Sequence, residues 1–179
     1  MGTDKALLPL AGGVPLGRSL ADRLRRAAGS ATLVGNPQLA PLLGYPVIPD
    51  RHPGQGPLGG ILAALEHTSA DWNLVVACDM PGLTSEFLEG LLGAAARSGA
   101  AVLLPAGPEG RPEPLCAVYH RQARAPLAQT FARGIRKIVA ALDDAGIAVC
   151  RWPVADAGIF QNVNTPEDWA AWAPRYVAS

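Results

Sequence analysis

Short apolar runs alternate with stretches of helical periodicity along the chain. Leu16, Leu20, Leu24 and Ala27 recur on one helical face, with Arg18, Asp22, Arg25 and Arg26 mostly off it, which predicts a helix over 16–28. Residues 31–35 and 45–48 read as short strands. Pro57 at a first helical turn predicts a helix over 57–68. The run Trp72-Asn-Leu-Val-Val-Ala-Cys78 is almost continuously apolar and predicts a strand buried on both faces of a parallel sheet. Thr84 is a candidate N-cap for a helix that closes at Gly99. Further strands are expected over 100–104, 114–120 and 147–152, with helices over 121–133 and 135–145. Thr165-Pro166-Glu-Asp168 has the cap, proline and acidic first turn that start a last helix.

Strands that alternate with helices in this way predict an α/β layer sandwich with a mostly parallel sheet, and one domain over 1–179. No repeat, low-complexity tract or long linker divides it. In such sheets ligands bind beyond the carboxyl ends of the strands, so residues that directly follow apolar runs are the first candidates for function.

Composition narrows the picture. Half of the chain is hydrophobic (49%) and only 17% is charged, as expected of a folded core. Fifteen basic residues balance 15 acidic ones, which argues against a nucleic-acid binder or a polybasic membrane protein. No apolar stretch approaches the roughly 20 residues of a membrane span, and Met1–Lys5 shows no signal-peptide pattern. Cys78, Cys116 and Cys150 lack metal or redox spacing and read as buried reduced thiols. The expectation is a soluble cytoplasmic protein. Twenty glycines and 17 prolines imply many turns, some of which let backbone approach a ligand closely.

Asp79 is the sharpest candidate. It follows a buried strand and precedes Met80-Pro81, and a carboxylate there is costly unless a cation or donors meet it. Magnesium prefers one or two carboxylates together with phosphate oxygens; the plainer alternative is a cap for the following turn. Gly54-Gln-Gly56-Pro57-Leu58-Gly59-Gly60 runs into a helix and offers amides to an anion or a nucleobase edge, though glycines before a helix are often only a turn. His52 reads as a surface loop residue rather than a base. Asn162 and Asn164, on alternate positions of an extended segment, can face one ligand, while an Asx-turn explains Asn164 as well. Lys5 near the N-terminus is ambiguous by itself. Ala11-Gly12-Gly13 has the form of a phosphate loop or of a turn before the first helix.

Seven stretches together resemble the molybdenum cofactor guanylyltransferases, nucleotidyltransferases with a three-layer Rossmann-like fold. They are Met1-Gly-Thr-Asp-Lys-Ala-Leu-Leu8, Val34-Gly-Asn36, Ile48-Pro-Asp50, Gly56-Pro-Leu-Gly-Gly60, Ala77-Cys-Asp-Met-Pro81, Arg111-Pro-Glu-Pro-Leu115 with Ala117-Val-Tyr119, and Asn162-Val-Asn-Thr-Pro166. The resemblance covers nearly the whole chain and implies transfer of GMP from GTP to molybdopterin, with pyrophosphate released. It implies Lys5 on the GTP phosphates, Asp79 on Mg2+, Asn36 and Asp50 on the nucleotide, and Gly56, Pro57, Leu58 and Gly59 against the base. Asn162 and Asn164 match the pterin-side segment, and Arg111 is a weaker candidate for an anionic group there. Molybdoenzymes or their chaperones are the implied onward partners.

One departure stands out. The family's first strand and the loop L-A-G-G-x-S-x-R precede M-G-x-D-K, and here Met1 is already that Met. Ala11-Gly12-Gly13 follows Lys5 and so reads as the turn before the first helix. Two expectations follow: a native chain with roughly 15 to 20 further residues ahead of Met1, which is favoured, or a natural paralogue without the loop. Either way the loss of a central strand implies an open sheet edge or groove, and weak GTP binding by the chain as it stands. A cytidylyltransferase ranks lower, because Gly56–Gly60 resembles the guanine-type loop. A sugar-1-phosphate nucleotidyltransferase is disfavoured by residues 162–166. A non-catalytic pterin-binding module is disfavoured by the joint presence of Lys5 and Asp79.

Overall fold

A computed structural model describes residues 4–10 and 12–172. Helix α1 spans Leu16–Ala28 and closes on Gly29 at φ +82°, a left-handed position that favours glycine. Strands β1 (Leu33–Gly35) and β2 (Val47–Pro49) pair in parallel. A 3-10 turn and the one-turn helix α2 (Ala40–Leu43) link them, pieces too short to leave a periodic signal. Helix α3 is Pro57–His67 and strand β3 is Trp72–Val76. Helix α4 (Ser85–Ser98) has its predicted cap: the Thr84 hydroxyl oxygen accepts the Phe87 N–H at 3.2 Å. Then follow β4 (Val102–Ala106), β5 (Cys116–His120), α5 (Arg124–Ala132), α6 (Ile138–Asp144), β6 (Val149–Pro153) and α7 (Pro166–Trp172). Ahead of α1, the Leu10 N–H donates to the Val14 C=O at 2.8 Å and the Gly13 N–H to the Leu10 C=O at 2.9 Å, bonds of the turn expected there; Ala11 lies outside the described residues.

The larger sheet has the order β3-β5-β4-β6. β5 runs antiparallel to both neighbours and β6 parallel to β4, so β3, β4 and β6 share one direction. Alternation along the central strands feeds two cores. Val102, Leu104, Ala117 and Tyr119 pack with α3, α5 and α6; Leu103, Cys116 and Val118 pack with α1 and α4. The result is three layers, helices on both faces of a sheet.

Strand β3 departs from its sequence pattern. Residues 72–78 read as a strand buried on both faces between parallel neighbours, yet all five residues of β3 are only half-buried, while all five of β4 are buried. One edge of β3 holds the antiparallel β5, and among the described residues the other holds no strand. A trench lies along that free edge, walled on the far side by β1 and bounded by α1 and α3. Two contiguous cavities of about 330 and 340 Å³ make it up, sharing Thr32, Val34, Leu74 and Val75. Among the described residues, no charged side chain lines the part that reaches Cys78.

Hydrogen-bond parity shows what faces the trench. Ala77 N–H donates to Leu115 C=O and Arg121 N–H to Asp71 C=O, both at 2.7 Å. In an antiparallel pair, alternate residues direct their polar backbone groups to the same neighbour. Residues 71, 73, 75 and 77 therefore face β5, and Leu74 and Val76 present their N–H and C=O groups to the trench. On β1, Leu33 N–H donates to Pro46 C=O at 2.9 Å, so Val34 is turned the other way, also to the trench. Amide exchange by NMR checks this: Leu74, Val76 and Val34 exchange about two orders of magnitude faster than Val75 and Ala77. Equal protection of both sets would show that the two edges are paired in solution.

Candidate active site

Asp79 stands three residues past the end of β3. The Asp79 C=O accepts the Val163 N–H at 2.9 Å, which brings segment 162–164 across the carboxyl end of the sheet. The Asp79 carboxylate lies 3.3 Å from Lys5 Nζ, and the same ammonium donates to Asn164 Oδ1 at 2.7 Å. The pair is half-buried, with side-chain exposures of 32% for Lys5 and 20% for Asp79. Two residues that lie 74 and 159 positions from Lys5 along the chain thus share its ammonium.

Local structure explains how Lys5 arrives there. Asp4 Oδ1 accepts the Ala6 N–H at 3.0 Å and starts a 3-10 turn over Lys5–Leu7. That turn lies directly on α1 at Gly17, where a Cβ would come within 2.9 Å of the Ala6 Cβ. Gly17 permits the close approach that carries Lys5 to Asp79. Arg23, on the same helix and 8% exposed as a residue, holds the other side: its guanidinium donates at 2.8 Å to the carbonyls of Pro81 and of Leu83. The loop that follows Asp79 is therefore fastened to α1. Sequence reasoning missed Arg23, although it continues the 16–20–23–27 helical spacing and so lies on the buried face.

The segment with the two asparagines is set by α7. Asp168 Oδ2 accepts the N–H groups of Asn164 and Thr165 at 3.0 and 2.9 Å, and Thr165 Oγ1 accepts the Asp168 N–H at 3.0 Å. These donors hold the Asp168 carboxyl below the usual carboxylate range. Asn164 has its side chain on Lys5, whereas Asn162 is exposed. Arg111 is exposed and lines a separate groove of about 370 Å³ with Glu113, Phe160 and Gln161, next along the chain from Asn162. Burial pushes the Glu113 carboxyl up, against the lowering influence of Arg111.

The nucleotide-side candidates form a second group. Register pairs Gly35 with Pro49, so Asn36 and Asp50 follow side by side at the carboxyl ends of β1 and β2. Asn36 Oδ1 accepts the Gln38 N–H at 3.0 Å and Asp50 Oδ1 accepts the His52 N–H at 2.8 Å; each closes a local turn and keeps further lone pairs. Gly56 and Pro57 are exposed at the start of α3, with Gly56 at φ +85°. Gly59 is buried against His52, whose Cβ sits 2.9 Å from where a Gly59 Cβ would be. Leu58 is fully buried in the core, so only its backbone can address a ligand. His52 is not a free surface residue: its ring centroid lies 4.7 Å from that of Phe131.

The donor set fits a magnesium ion that arrives with a nucleotide. Among the described residues no group of three or more His, Cys, Asp or Glu side chains converges. Asp79 supplies a carboxylate, and Mg2+ commonly takes one or two carboxylates with phosphate and water oxygens for the rest. Cys78 lies beside it. Burial first, and then the charges of Asp79 and Asp4, push its thiol up to about 11.

Comparison with known proteins decides the family. Residues 1–145 match the MobA-like NTP transferase domain. The chain belongs to this family. It is therefore a nucleotidyltransferase by membership, and its relatives agree. A molybdenum cofactor guanylyltransferase of Serratia proteamaculans is 32% identical, over 96% of this chain and 86% of that one. A probable molybdenum cofactor guanylyltransferase of Deinococcus radiodurans is 35% identical, over 97% and 88%. The solved structure of molybdopterin-guanine dinucleotide biosynthesis protein A from Archaeoglobus fulgidus superposes on this transferase with a TM-score of 0.78 at 29% identity, covering 97% and 91% of the two chains. A Thermus thermophilus 2-C-methyl-D-erythritol 4-phosphate cytidylyltransferase, 19% identical with a TM-score of 0.73 over 96% and 93% of the chains, shows the fold alone. No described helix of the transferase is long and apolar enough to cross a membrane.

Two outcomes test this geometry. Iodoacetamide labelling of folded protein, read by peptide mass spectrometry, gives Cys78 an alkylation midpoint near pH 11, and Asp79→Asn lowers it, because removal of the adjacent negative charge eases thiolate formation. A midpoint at the ordinary thiol value would contradict the burial. Arg23→Met destabilises the fold by about 2–4 kcal/mol in urea unfolding, because two buried carbonyls lose a charged donor; a change below about 0.5 kcal/mol would mean that Arg23 does not fasten the Asp79 loop.

Proposed function

We propose that this chain transfers GMP from GTP to molybdopterin, forming the guanine dinucleotide and pyrophosphate. The observation that carries the proposal is the convergence of Lys5, Asp79 and Asn164 on one point at the carboxyl end of the sheet, in a chain 32–35% identical to proteins named for that activity. The terminal phosphate of the pterin attacks the α-phosphorus of GTP in line; the new P–O bond forms as the bond to pyrophosphate breaks. Such a reaction depends on positioning and charge neutralisation rather than on a dedicated acid–base pair.

Each residue has a role in this reading. Asp79 holds Mg2+, which supplies neutralisation of the triphosphate oxygens when bound. Lys5 has a flexible stem and a compact charge, and turns from its present acceptors to the phosphates. Asn36 and Asp50 meet the nucleoside. Gly56, Pro57 and the backbone of Leu58 and Gly59 lie along the base. Asn162 and Asn164 face the pterin, with Arg111 in the neighbouring groove available to an anionic group. Release of the product to a molybdoenzyme or its chaperone, in the cytoplasm, completes the proposal.

Purified chain incubated with Mg2+, molybdopterin and α-labelled GTP or CTP tests it. The expected result is a guanine dinucleotide product, formed in preference to the cytosine one. Asp79→Asn lowers the rate by about 100-fold or more. A preference for CTP would favour the cytidylyltransferase reading, and a rate that survives Asp79→Asn would remove Asp79 from the reaction.

A further inference from the structure

Arg136 takes no part in the site described so far, yet it reaches the glycine loop from the neighbouring connection of the same helical layer, which packs α3 with α5 and α6. It sits between α5 and α6, just after Gly134 at φ +93°. One arm of its guanidinium donates to Gln55 Oε1 at 2.8 Å, and the other donates to the Phe131 C=O. Its plane also covers the Phe131 ring at 3.9 Å. Phe131 in turn packs on His52, which donates its N–H to Asp50 and fills the space beside Gly59. One side chain thereby grips the loop twice: directly at Gln55, and through Phe131 at His52.

The loop needs such a grip. Gln55 lies between Gly54 at φ +74° and Gly56 at φ +85°, and glycines in that region confer little stiffness of their own. The Gln55 N–H donates to the His52 C=O at 3.1 Å, a bond within the loop itself. Planarity matters too. A guanidinium stacks on a ring and donates along two directions at once, which an ammonium does not.

The geometry points to Arg136 as a positioning residue that holds the 52–56 loop in the shape that receives the nucleobase, and so sets the preference for guanine over cytosine. This rests on the proposed placement of the base along Gly56–Gly59, the stretch into which the 52–56 loop leads. Backbone groups read a base edge only if they are fixed before it arrives; a slack loop adapts to either base and discriminates less.

Arg136→Met, Arg136→Lys and Gln55→Ala test the inference by two readouts. Hydrogen exchange of the peptide covering 52–56 is expected to speed up in Arg136→Met, with exchange in the core of α3 unchanged. In steady-state transfer with GTP and with CTP, KM for GTP rises about tenfold with kcat nearly constant, and the GTP-to-CTP ratio of kcat/KM falls by a similar factor. Arg136→Lys recovers only part of the loss, and Gln55→Ala reproduces part of it. Unchanged loop exchange would overturn the clamp. Faster exchange with an unchanged GTP-to-CTP ratio would overturn the role in selectivity, as would a fall in kcat alone. Wild-type protein that prefers CTP would fail the parent reading, and the exchange result still decides the clamp.

Discussion

A carboxylate at the carboxyl end of a strand, half withdrawn from water, is the constraint around which this site is arranged. A carboxylate there is costly unless a cation or donors meet it, and the fold brings the Lys5 ammonium from the far end of the sequence. Much of the neighbouring structure serves that meeting. The 3-10 turn at Lys5–Leu7 exists to present the ammonium, Gly17 clears the surface on which the turn rests, and Arg23 fixes the loop behind the carboxylate. Segment 162–164 closes the arrangement through Val163 N–H and the Asn164 side chain. An ammonium shared between two acceptors is easily redirected, which suits a site where a polyphosphate has to compete for it.

The trench shapes the rest of the molecule. The strands divide into two sheets, and the walls of the gap between them are α1 and α3 rather than a ladder of hydrogen bonds. The N–H and C=O groups of Val34, Leu74 and Val76 point into a channel that ends at Cys78, next to Asp79, and that no strand among the described residues fills. Such paired open edges are an unusual thing to leave in a protein interior.

Much of the fold was legible in the sequence. The span of α1 is that of its apolar periodicity, and α3, α4 and α7 start where proline or threonine signals place them. What the pattern could not show was partnership. The apolar run at 72–78 says that the strand belongs in a core, not that its neighbour β5 runs against it or that its other edge is free. In the site, Asp79 was visible because a charge closes an apolar run. Lys5 was ambiguous because its partners are distant in sequence. Leu58 was drawn into the nucleotide loop by its neighbours, although its side chain belongs to the core. Arg23 and Arg136 escaped notice because an arginine in a helix or turn reads as solvated until its acceptors are known.

A crystal structure of the protein with GTP and Mg2+ tests the central claim most directly. The account predicts metal density on the Asp79 carboxylate, with Lys5 Nζ moved onto phosphate oxygens and the base seated along Gly56–Gly59. Nucleotide and metal bound elsewhere, with Lys5 still on Asp79 and Asn164, would contradict it.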